Sequence, residues 1–114
     1  MYKQILTCIR PNTDTPFFHE ATEYAEIQQL RTTLREAHPE LVISSATTLS
    51  SDGLTFTNTL RYHDKAAYDT YVKLVKSTVP NWPTVRNQYY ARNQHVLIAE
   101  TQENDKLAKV VYTI

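Results

Sequence analysis

Glycine is almost missing from this chain: Gly53 is the only one in 114 residues. No glycine-rich phosphate loop and no dinucleotide-binding fingerprint is present, because both need several glycines where the backbone meets phosphate. Cysteine is as scarce. Cys8 stands alone, so no internal disulfide and no Cys-rich metal site can form, and a reducing compartment fits that usage. Neither charge sign is in excess, with 12 basic and 12 acidic residues. The balance removes the electrostatic footprint expected for nucleic acid or an anionic membrane surface. No apolar run approaches the roughly 20 residues of a membrane-spanning helix. The start, Met1-Tyr2-Lys3-Gln4, lacks the apolar core of a signal peptide. The expectation is a soluble, cytoplasmic protein made of a single domain over 1–114, with neither nucleic acid nor membrane as partner. No internal repeat, low-complexity tract or linker interrupts it.

What is present is a pattern of elements. Gly53 follows Ser50-Ser51-Asp52 and separates two alternating, Thr-rich segments, 41–50 and 54–63. An Asp-Gly step between such segments predicts a β-hairpin, because glycine accepts the positive φ of a tight turn. Segment 3–10 carries apolar groups on both faces, as a central strand does. After the breaker cluster 11–16, with Thr15-Pro16 suited to starting a helix, Tyr24, Ile27, Leu30, Leu34 and Ala37 recur at helical spacing until His38-Pro39 closes the helix.

Asp64 is a good N-cap for a second helix, with Ala67, Tyr68, Tyr71, Val72, Leu74, Val75 and Val79 as its apolar stripe and Pro80 as its end. A short third helical piece carries Val85, Tyr89 and Tyr90 to about Asn93. A fourth strand follows over 95–101, then a polar turn over 102–105 and a β-branched, aromatic tail over 107–114. The order β-α-β-β-α-β predicts an α+β, ferredoxin-like fold with an antiparallel sheet and an extra C-terminal strand. That tail would aggregate if unpaired. It either returns onto the fourth strand or crosses to a twin subunit, and crossing is preferred slightly because it leaves no new edge exposed.

In element order, Thr-rich hairpin and Tyr-rich second helix (Ala66, Ala67, Tyr68, Asp69, Thr70, Tyr71), the chain resembles the dimeric α/β-barrel superfamily. That group includes antibiotic-biosynthesis-type and haem-degrading monooxygenases and stress-responsive barrel proteins. The resemblance implies a homodimer joined through its sheets and a small-molecule pocket between sheet and helices. A sheet apolar on both faces, with helices for one, independently asks for a second cover. The cofactor-free oxygenases of the group use a polar trio that includes Asn and Trp. Asn58 and Trp82 match two members, whereas Gln4 or Thr7 stands where the first-strand Asn is usual. The haem branch needs a helix-borne His, and the corresponding stretch offers Arg86, Tyr89 and Tyr90 instead.

Asn58 is the amide in the stripe Leu54, Phe56, Leu60, Tyr62, so it either orients a ligand or bonds a neighbouring strand. His19, after Phe17 and Phe18, is the histidine best placed to touch a ligand, and a structural or solvated His reads the same way. His38, His63 and His95 show no metal-ligand spacing. Trp82, Arg86, Tyr89 and Tyr90 lie where a lid would sit, offering a cation for a carboxylate and rings for an apolar body; a solvated turn with Trp82 as filler fits too. Cys8 reads as a small core hydrophobe.

The expected protein is a homodimer that binds a small, largely apolar or amphipathic molecule, such as a fatty acid. Its site would be Asn58, Tyr62, His19, Trp82, Arg86 and Tyr89, with no metal and no cofactor. Two rivals stand beside it. One is a cofactor-independent monooxygenase or isomerase, with Asn58 and Trp82 orienting and Tyr89 or His19 carrying the proton. The other is a structural or protein-interaction module without ligand.

Overall fold

The computed structural model describes residues 1–112. Among them the order is β1 (Tyr2–Ile9), α1 (Ala25–Glu36), β2 (Val42–Leu49), β3 (Thr55–Tyr62), α2 (Lys65–Thr78), α3 (Trp82–Arg92), β4 (Val96–Glu103) and β5 (Lys106–Tyr112). The strands form one antiparallel sheet in the order β2-β3-β1-β4-β5. This is the ferredoxin-like α+β arrangement with a fifth strand added at the β4 edge.

Local chemistry explains the punctuation. Gly53 takes φ 74°, and the turn around it is tied by Asp52, whose carboxylate accepts from the Ser50 hydroxyl at 2.6 Å and the Leu54 amide at 3.0 Å. Arg10 holds this turn from below, donating to the Gly53 and Thr15 carbonyls at 2.9 and 3.0 Å. Asp64 caps α2 by accepting from the Ala67 amide at 2.8 Å, a bond that satisfies one of the helix's orphan donors. Thr15-Pro16 starts no α-helix, contrary to the sequence expectation. Two single 3₁₀ turns, Phe18–Glu20 and Thr22–Tyr24, precede α1 instead, with extended Ala21 between them, and this detour drives Phe17 and Phe18 into the core.

The tail pairs at home. β5 lies antiparallel on β4, with Glu103 opposite Lys106 and Ala99 opposite Val111, which corrects the preference for a crossing strand. The connection is two residues, Asn104 and Asp105, with φ of 52° and 64°. Both are positive, as a primed hairpin turn requires, and Asn and Asp tolerate that region better than most residues. The N-terminal ammonium donates to Asn104 at 3.0 Å and Lys3 pairs with Asp105 at 2.6 Å, so the hairpin is pinned to the start of β1. Of the expected tail strand, Thr113 and Ile114 lie outside the described residues.

All buried apolar groups gather on one side of the sheet. Tyr2, Cys8, Leu60, Tyr62 and Leu97 face Phe17, Phe18, Tyr71, Val75, Trp82, Tyr89 and Tyr90. Aromatic packing dominates: Phe18 meets Tyr24, Tyr89 and Tyr90 with ring centres 4.8, 5.7 and 6.1 Å apart, contacts worth about 0.5–1.5 kcal/mol each beyond their buried area. The opposite face carries Ile5, Thr7, Thr57, Thr59 and Ile98, none of them in the core cluster. There Ile9, Val96 and Val110 are 39, 46 and 37% exposed.

Candidate functional site

A cavity of about 210 Å³ opens between the sheet and the helices. Its floor follows from strand alternation: Leu6 and Cys8 on β1 stand opposite Asn58 and Phe56 on β3, and all four face inward. The roof comes from α1, where Gln28, Arg31, Thr32 and Arg35 recur at three and four residues and form a polar stripe over the cavity. α3 closes the side with Trp82 and Arg86.

The sequence-derived residues divide. His19, Asn58, Trp82 and Arg86 are brought together on this cavity. Tyr62 lines a second, adjacent cavity, and Tyr89 lines neither. The Tyr89 hydroxyl donates to the Pro16 carbonyl, and its ring packs on Tyr24 at 5.5 Å, so it ties α3 to the loop before α1. Its neighbour Tyr90 faces the cavity instead. Asn58 is half-buried, and its amide nitrogen donates across the sheet to the Ser45 hydroxyl at 3.2 Å and the Ala46 carbonyl at 3.4 Å. Those bonds fix its orientation and secure the β2–β3 pairing. His19 stacks on Phe56 with ring centres 4.2 Å apart, and burial pulls its pKa down, so at neutral pH the ring is uncharged.

Arg31 is the central residue that sequence reasoning missed. Ile27 and Leu34 pack against the core, and Arg31 sits between them at i+4 and i−3, on the inward face. Leu30, the residue expected there, is 44% exposed. The guanidinium of Arg31 lies over the Trp82 ring at 3.5 Å and that of Arg86 over the same ring at 4.5 Å. Two cations thus stand against one indole.

Neither cation has a counter-ion among the described residues. The ion pairs among the described residues are Lys3–Asp105, His38–Glu40 and Lys65–Asp69, and no Asp or Glu lines the cavity. Arg31 donates through Nη1 to Gln28 at 3.4 Å, while its buried Nε has no partner among the described residues. Gln28 is itself held by donating to the Phe18 carbonyl at 2.9 Å. Burial lowers the pKa of Arg31 to about 10 and also lowers that of Arg86, yet both remain charged at neutral pH. Such an arrangement is costly without an anion and favourable with one.

Cys8 is buried in the core, as the sequence reading has it, and there it meets His95, Sγ to Nδ1 at 3.9 Å. Burial pushes the thiol up to about 11 and pulls the imidazole down. Both groups are therefore neutral, and the pair is no thiolate nucleophile. Among the described residues no cluster of three His, Cys, Asp or Glu could hold a metal, and no helix is long and apolar enough to cross a membrane.

No protein-family model matches the chain, and no curated protein matches it in sequence. A solved structure does match: that of a "putative antibiotic biosynthesis monooxygenase" from Deinococcus radiodurans, with TM-score 0.51 and 14% identity over 97% of this chain and 99% of that one. At that identity the likeness shows a shared fold, and the two chains share the ferredoxin-like α+β architecture from end to end.

Proposed function

We propose that this chain is a homodimeric binding protein for a small amphipathic acid, held between sheet and helices without a tightly bound cofactor. The observation that carries the reading is the pair of cations without counter-ions, Arg31 and Arg86, on an aromatic cavity that has no carboxylate. A ligand carboxylate would complete the electrostatics of both groups, and a guanidinium fork is suited to take it in two parallel bonds. Leu6, Phe18, Phe56 and Leu97 would receive its apolar body. At about 210 Å³ the space lies below the usual range for drug-sized ligands of roughly 300–1,000 Å³, which favours a medium-chain acid over a long-chain one.

The bare sheet face supports the dimer. Its Ile and Thr side chains form one surface across β1, β3 and β4, and a twin sheet would cover it at the usual ~10 Å sheet spacing. Each subunit would then keep its own cavity on the helix side. For the site, extraction of the purified protein followed by mass spectrometry should yield a carboxylic acid, and Arg31→Met should lose it. A neutral molecule released equally by both proteins would defeat the reading.

A second reading, cofactor-independent oxygenation, is supported by Asn58 and Trp82 lining the same cavity on this fold. In that chemistry a substrate CH₂ and O₂ give a C=O and water, the substrate supplying all four electrons. Oxygen uptake with an anthrone or a hydroquinone would distinguish it from simple binding.

A further inference from the structure

A second cavity of about 180 Å³ shares Arg31, Trp82 and Arg86 with the first. The floors of the two are consecutive. Leu6 and Asn58 floor the first, Gln4 and Leu60 the second, and these are adjacent inward pairs of the β1–β3 ladder, about 7 Å apart along the strands. The stacked guanidiniums and indole therefore stand over one continuous strip of sheet as a lintel between two chambers.

The second chamber has its own chemistry. Tyr62, Tyr68 and Tyr71 line it with Val72 and Val75, and the three phenol hydroxyls have no hydrogen-bond partner among the described residues. Tyr62 is only 1% exposed, yet its hydroxyl is not one of the fully buried atoms left without a partner, so the little surface it keeps gives onto the chamber it lines, where an acceptor would meet it. The charged residues lining this chamber, Arg31, Lys76 and Arg86, are all cations. Burial raises the pKa of Tyr62 and of Tyr71, so both phenols stay protonated and able to donate at neutral pH. A ligand atom that suits this set is an oxygen that only accepts.

We propose that the two cavities are two halves of one site joined at the shared cations, and that the ligand is an acid whose carboxylate meets Arg31 and Arg86 at the junction, whose apolar body fills the first cavity, and whose second acceptor oxygen, carboxylate or carbonyl, is carried close to the first and seated against Tyr62 and Tyr71. The proposal rests on the reading of the first cavity as a carboxylate site and extends it across the shared cations into the second. It makes Tyr62 and Tyr71 determinants of specificity between acids of one length.

Titration calorimetry with decanoate and its 2-carboxymethyl derivative octylsuccinate, a diacid with both carboxylates at one end of the same chain, tests this. The native protein should bind the diacid at least tenfold more tightly, since hydrogen bonds to a charged group are the stronger kind. In Tyr62→Phe/Tyr71→Phe that ratio should fall to near one, with circular dichroism melting to confirm the fold. Should the double variant fail to fold, Tyr71→Phe alone should reduce the ratio severalfold. Equal affinities in the native protein, or a diacid preference that survives the substitutions, would overturn the bipartite site while leaving the first cavity intact. If neither acid binds, the carboxylate reading itself fails and takes this inference with it.

Discussion

Replacing Arg31 with methionine should stabilise the protein while destroying its capacity to hold an acid. The guanidinium is displaced from its ordinary pKa down to about 10 chiefly by burial, which corresponds to roughly 3 kcal/mol disfavouring the charged form in the folded chain. The sign follows directly. A base whose folded pKa is lowered carries its full penalty at every pH below about 10, and relief comes only as the pH rises above that value. Against this stands the stacking on Trp82 at 3.5 Å, worth about 2 kcal/mol for a desolvated cation. A thioether on the same indole recovers part of that. The expected net is a gain of at least about 1 kcal/mol, in line with the neutral-to-favourable outcome of replacing buried charges by apolar groups. For a chain of this size it would appear as a rise of roughly 4 °C or more in Tm. Trp82 is the only tryptophan, so urea unfolding followed by fluorescence reads out this site. Loss of the charge should at the same time weaken binding of decanoate by roughly thirtyfold or more, the scale set by removing one partner of a desolvated charge pair. A variant less stable than the native protein by 1 kcal/mol or more would refute the reasoning, because Arg31 would then be a brace rather than a binding group.

The remaining predictions concern the frame around the site. Burial raises the Cys8 thiol to about 11; the unfolded chain ionises first, so stability should fall between about pH 9 and 11, and native Cys8 should resist iodoacetamide near neutrality, checked by mass spectrometry. Gly53→Ala should cost about 1 kcal/mol in urea unfolding through the positive φ alone, because the added Cβ meets only ordinary contacts, the nearest at 3.5 Å from Thr13. Ile98→Arg, on the bare face, should convert a dimer to monomer in sedimentation velocity at micromolar concentration; a native monomer, or an unaffected dimer, would show that this face is not the interface.

The frame was legible because its signals are local. Asp52-Gly53 marks a turn by backbone sterics, and Asp64 marks a helix start by the reach of one carboxylate, so both survived into the structure. Asn104-Asp105 carries the same kind of signal, and this turn, rather than the protection of an edge, decides where the tail pairs. The site was legible only in part, because it depends on rotation about helices and on strand register. Tyr89 and Tyr90 are neighbours about 100° apart on α3, and nothing in the sequence says which one turns to the cavity. Arg31 was hidden because an apolar stripe drawn through Leu30 passes one residue from the true inward row Ile27, Arg31, Leu34. A cation in a row of apolar positions was the available signal. Cys8 and His95 meet through the β1–β4 register, in which Cys8 stands opposite Leu97, and that pairing has no local mark.

The most direct test of the central claim is titration calorimetry of decanoate against the native protein and against Arg31→Met/Arg86→Met, both checked for native folding. The account predicts saturable binding at one site per subunit in the native protein and none in the double variant. Binding of equal affinity in both, or none in the native protein, would contradict the claim that the two unpaired cations exist to hold an acid.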